Sequence, residues 1–68
     1  MKSNLIIQDP QRMSGAPCFV GTRVTVKSMF DYLEAGDSLE TFLEQFPTIR
    51  REIAVAVLEE SQRALLAA

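Results

Sequence analysis

Apolar residues recur along this chain in two different rhythms. Near the N-terminus they come in short runs, Leu5-Ile6-Ile7 closed by Asp9-Pro10, then Pro17-Cys18-Phe19-Val20 closed by Gly21. Runs this short, rich in β-branched and aromatic side chains and bounded by turn residues, predict strands, the first over about residues 4–8. Proline fixes φ and pushes the residue before it out of the α region, so Asp9-Pro10 ends the first strand. Pro17 has no N–H to donate, which places it at the start or on the edge of the second. Ser14-Gly15 supplies loop chemistry between them, and the two strands are expected to pair as a hairpin.

From Thr25 the period changes. Val26, Met29, Phe30 and Leu33 stand at i, i+3, i+4 and i+7, a single apolar stripe on a helix for which Thr25 is the N-cap. Gly36 ends that helix, because glycine best tolerates the left-handed turn at a helix terminus, and Asp37-Ser38 caps a new one. The second helix repeats the spacing with Leu39, Phe42, Leu43 and Phe46, and Pro47 stops it. Thr48 is then expected to cap a third helix over about residues 49–66, a stretch without glycine or proline. Three helices on such short connections predict a mainly α fold, a trihelical homeodomain-like helix-turn-helix behind a short N-terminal β-hairpin. The expected organisation is one domain, residues 1–68, with a hairpin arm at 1–24 and the three helices at 25–68. In this geometry the second helix braces and the third presents its N-terminal half to the major groove.

Size changes the picture next. A chain of 68 residues holds one core. A core of that size rarely supplies more than about 3–5 kcal/mol unaided. One cysteine, Cys18, cannot form an internal disulfide, and without histidine a metal cluster is not expected. Oligomerisation is the remaining support, and a homodimer is expected. The third helix suggests where: Ile53 to Leu58 is apolar nearly all round. Ile49, Ile53, Ala56 and Val57 can close the core, which leaves Val55, Leu58, Leu65 and Leu66 as a second stripe. That stripe is expected to be the dimer seam, with the hairpin or a partner protein as alternative covers. The N-terminal residues lack the apolar core of a signal peptide, and no run approaches the roughly 20 residues of a membrane span. A soluble cytoplasmic protein with no membrane association is expected, in keeping with a lone thiol.

Charge divides the chain. Lys2, Arg12, Arg23 and Lys27 against Asp9 give residues 1–30 a net +3, and Asp31, Glu34, Asp37, Glu40 and Glu44 give residues 31–49 a net −5. Residues 50–68 balance, so the whole carries −2, too acidic for a strong generic nucleic-acid binder. Arg50-Arg51 nevertheless stands at the start of the third helix, where the helix dipole disfavours a base by about 0.3–1 kcal/mol each. With Thr48 they are the candidate DNA-binding residues, because the arginine fork fits both phosphates and guanine edges. A salt bridge to the Glu40/Glu44 face is the competing reading. The acidic stretch itself reads as a solvated face or as a docking site for a basic partner.

Gly15-x-Pro17 followed by Gly21-Thr22-Arg23 is the most distinctive loop chemistry. A phosphate cradle lacks its usual glycine pattern here. Arg23 is expected instead to tie the hairpin to the helical body through a carboxylate or backbone carbonyls. No catalytic set can be assembled: Cys18 has no histidine to act as base, and an apolar setting keeps a thiol inert. No enzyme activity and no cofactor are expected.

Ile7-x-Asp9-Pro10, the block Gly15-x-Pro17-Cys18-Phe19-Val20-Gly21-Thr22-Arg23-Val24-x-Val26, then Ala35-Gly36-Asp37-Ser38-Leu39-Glu40 and Phe46-Pro47 occur in an order that resembles the domain of unknown function 433 family, small bacterial VapB-type antitoxin-like proteins. The resemblance covers nearly the whole chain. It implies a homeodomain-like helix-turn-helix with an N-terminal β element, usually dimeric. It also implies the antitoxin role of a type II toxin–antitoxin pair, with a PIN-like nuclease toxin as partner; operator DNA is the further partner expected from Arg50, Arg51 and Thr48. A protein-interaction module without a DNA role is the alternative that the acidic composition favours.

Overall fold

The computed structural model describes residues 4–11 and 15–67; Lys2, Arg12 and Ser14, on which part of the charge and loop reading rests, lie outside the described residues. Two short strands, β1 (Ile6–Ile7) and β2 (Cys18–Phe19), precede three helices, α1 (Val26–Glu34), α2 (Leu39–Gln45) and α3 (Arg51–Leu66). The architecture is the trihelical, homeodomain-like helix-turn-helix with a short β-hairpin that the apolar rhythm predicts.

β1 and β2 pair antiparallel with Ile6 opposite Phe19 and Ile7 opposite Cys18. The sheet carries a third element that the sequence pattern hides. Cys18 also bridges Thr25, with Phe19 N–H donating to the Val24 carbonyl at 3.0 Å and Val26 N–H to the Pro17 carbonyl at 2.9 Å. Chain reversal between them uses Gly21 at φ +74°. Thr22 closes that turn, its hydroxyl donating to the Phe19 carbonyl at 2.9 Å and accepting from Val24 N–H at 3.1 Å. The Gly21-Thr22 pair is thus structural, a left-handed residue followed by a side chain that satisfies backbone groups.

Thr25 caps α1 as expected, accepting from Ser28 N–H at 3.2 Å, while the two hydroxyls share a 2.9 Å hydrogen bond. α1 ends in a Schellman motif: Gly36 at φ +92° donates to Leu33, and Asp37 N–H reaches back to the Tyr32 carbonyl at 2.9 Å. Ser38 caps α2 in the same way as Thr25 caps α1, accepting from Thr41 N–H at 3.1 Å.

Phe19, Met29, Phe42, Ile49, Ala54 and Val57 form one buried cluster that draws a residue from every element except β1. Aromatic rings link its parts: Phe42 lies 6.1 Å from Phe19, 5.4 Å from Tyr32 and 5.0 Å from Phe46 between ring centroids. Such tilted and edge-on pairs add to the burial itself, which contributes about 1.5–3 kcal/mol for each large side chain. Cys18 is buried, as an inert core thiol should be.

The third helix departs from expectation at its start. It begins at Arg51, not Ile49, and its N-cap is Arg50, with no side chain capping it; Thr48 is exposed in the preceding turn. Ile49 explains the shift. It is buried in the core while still outside the helix, in a turn tightened by its N–H donating to the Phe46 carbonyl at 3.1 Å. Inserting that side chain from a turn moves the helix start downstream. Ile53 and Val57 pack into the core as expected; Ala54 is the fully buried alanine of α3, whereas Ala56, expected there, is only half-buried.

Candidate nucleic-acid interface

A turn of five residues, 46–50, carries the chain from α2 into α3. Phe46 and Ile49 turn inward and Pro47, Thr48 and Arg50 outward, so the core fixes the connection from within while its polar side stays exposed. Thr48, Arg50 and Arg51 are therefore brought to one place, the exposed start of α3.

Within that group the three residues differ. Arg50 sits at the N-cap in extended conformation, exposed, and its carbonyl accepts the first helical hydrogen bonds from Ile53 at 3.0 Å and Ala54 at 3.1 Å. Its guanidinium makes no ion pair among the described residues. Arg51 does, pairing with Glu40 in the first turn of α2. Both partners are more than half exposed, where such a pair contributes about 0–1 kcal/mol. Glu40, and not Glu44, is thus the acid that answers Arg51. The pair ties the starts of the two helices together without removing the arginine from solvent.

Uncapped helix starts leave N–H groups at the surface that suit an anion, and two arginines beside them add charge and a bidentate fork. Chemically, the arrangement can hold a phosphate or read a guanine edge. Glu52 in the first turn of α3 and Glu40 across from it restrain that preference.

The hairpin motif is placed differently from expectation. Gly15 and Pro17 hold backbone positions, the Gly15 carbonyl accepting from Gln8 Nε2 at 3.2 Å and the Pro17 carbonyl from Val26. Arg23 does not anchor the hairpin. It is exposed at the turn and has no hydrogen bond or ion pair among the described residues, because Thr22 and the backbone already close that turn. The apolar stripe of α3 also divides. Leu58 is half-buried against the core and Val55 is half-buried, whereas Leu65 and Leu66 are each 78% exposed. The described hairpin therefore does not cover the end of α3.

Among the described residues no group of three or more histidine, cysteine, aspartate or glutamate side chains is arranged to hold a metal ion. No described helix is long and apolar enough to cross a membrane.

Fold and site together define a small helix-turn-helix protein whose third helix opens on two arginines. The chain belongs to the family described as Protein of unknown function (DUF433), whose model matches residues 6–59, from β1 through most of α3. Among curated proteins and among solved structures, nothing matches the chain.

Proposed function

We propose that this protein is a non-enzymatic, antitoxin-like regulator of a type II toxin–antitoxin pair, acting as a cytoplasmic homodimer that binds operator DNA. In this reading Arg50, Arg51 and Thr48 meet the DNA. The acidic face or the apolar surface that includes the exposed Leu65 and Leu66, part of the stripe expected as the dimer seam, meets a partner protein, a PIN-like nuclease toxin. One observation carries the DNA contact: the helix that a helix-turn-helix offers to the groove begins with an exposed arginine in place of a capping side chain. Serine, threonine, asparagine or aspartate at that position would stabilise the helix by about 0.5–2 kcal/mol relative to alanine. An arginine there is accounted for by a ligand that it touches. The toxin partnership rests on the antitoxin-like resemblance of the sequence motifs and on the uncovered leucines.

The test is a salt titration of binding to the DNA upstream of the gene. Affinity should fall as salt rises, and Arg50→Ala with Arg51→Ala should weaken binding and flatten the slope by about 1 per lost phosphate contact. No detectable binding at about 50 mM salt would remove the DNA contact. The Arg51–Glu40 ion pair favours a second reading, a protein-interaction module with no DNA role, in which Arg51 serves only to join α2 to α3. Stable association with the neighbouring gene product, unaffected by nuclease and by both arginine substitutions, would select that reading.

A further inference from the structure

Among the described residues the small sheet has one open edge. Val20 N–H donates to the Leu5 carbonyl at 2.9 Å and Ile7 lies opposite Cys18, so Leu5 and Ile7 turn their backbone groups toward β2. Antiparallel pairing alternates, and the N–H and carbonyl of Ile6 therefore point outward, away from β2. They have no partner among the described residues. On the other side of β2, residues 24–26 pass directly into α1, which leaves β1 as the edge on which a strand can be added.

That edge is short but carries neither of the side-chain protections, charge or proline. Natural edges are blunted by charged side chains, proline or bulges, yet Asn4-Leu5-Ile6-Ile7-Gln8 has neither a charge nor a proline, and Ile7 is 37% exposed. The segment is also symmetric in chemistry about Ile6: an amide, an aliphatic, isoleucine, an aliphatic, an amide. Laid antiparallel against itself, it sets Asn4 opposite Gln8, Leu5 opposite Ile7 and Ile6 opposite Ile6. A two-fold interface requires just such a self-complementary patch.

We propose that the open edge of β1 takes the β1 of a second copy, antiparallel, about a two-fold axis at Ile6, joining two hairpins into one continuous sheet. The proposal rests on the homodimer of the functional reading and needs no part of its DNA contact. It assigns self-association to the hairpin and leaves the exposed end of α3 to a different partner.

The full chain is measured by sedimentation at tens of micromolar, beside Ile7→Lys and the double variant Leu65→Ser/Leu66→Ser. Amide exchange at Ile6 in the unmodified protein is followed at high and low concentration. The expected result is a dimer that Ile7→Lys converts to monomer with its helical content intact, while the leucine variant stays dimeric. The Ile6 amide should gain about tenfold or more protection as the concentration rises. A monomeric unmodified protein would overturn both the homodimer and its edge. A dimer that survives Ile7→Lys, or in which the Ile6 amide exchanges freely, would overturn the edge and leave the homodimer standing.

Discussion

The starts of α2 and α3 sit close enough for Arg51 to pair with Glu40, yet they are built on different principles. α2 begins with Ser38, whose hydroxyl accepts from Thr41 N–H and lies 3.1 Å from the Thr41 hydroxyl, a local device that would favour a helix in any setting. α3 begins with Arg50 and has no such device. Its position is set from within, by Ile49, Ala54 and Val57 in the shared core. The contrast shows a helix held by packing and left open at the end that faces solvent, and an open, basic helix end is where a ligand can act.

The comparison is broken most severely from the core side. Phe42→Ala removes the ring that meets Phe19, Tyr32 and Phe46 and should cost about 3–5 kcal/mol, enough to unfold most of a domain this small. Circular dichroism should show α3 lost together with α1 and α2. A variant that kept α3 after losing the others would contradict the view that packing holds it.

Substitution of the local caps is milder. Ser38→Ala and Thr25→Ala should each cost about 1 kcal/mol in urea unfolding, because each removes an acceptor for a first-turn N–H. Thr48→Ala should change stability by less than about 0.5 kcal/mol, since its exposed side chain caps nothing. A Thr48→Ala loss equal to that of Ser38→Ala would mean that α3 is capped after all.

The same contrast explains what could be read before the structure was known. α1 and α2 were legible because stripe, cap and stop agree: Thr25 and Ser38 as caps, Gly36 as the left-handed terminus. α3 was legible as a helix and illegible at its start, because nothing local marks that Ile49 is buried from a turn. Ile53 and Val57 keep their expected inward places, and Ala54 is the buried alanine in place of Ala56. Arg23 misled for a related reason. A charged residue beside two turn formers reads as an anchor, but Thr22 already satisfies the backbone groups that an anchor would have served. The third sheet segment at 24–26 is hidden in the sequence because its few residues merge into the apolar stripe of α1. Arg50 and Arg51 are legible as a pair, whereas their division, one without an ion pair among the described residues and one tied to Glu40, is a property of the packed helices.

In the proposed function α3 keeps an arginine at its N-cap for a ligand, at some loss of stability. Arg50→Ser tests it most directly, measured twice, by thermal unfolding and by binding to the upstream DNA. Installing a capping hydroxyl and removing a positive charge from the helix start should stabilise the protein by a few tenths to about 1 kcal/mol, raising Tm by a few degrees. The same change should weaken DNA binding about tenfold. A variant that melts higher and binds less supports the account; one that melts no higher, or binds DNA as tightly as before, contradicts it.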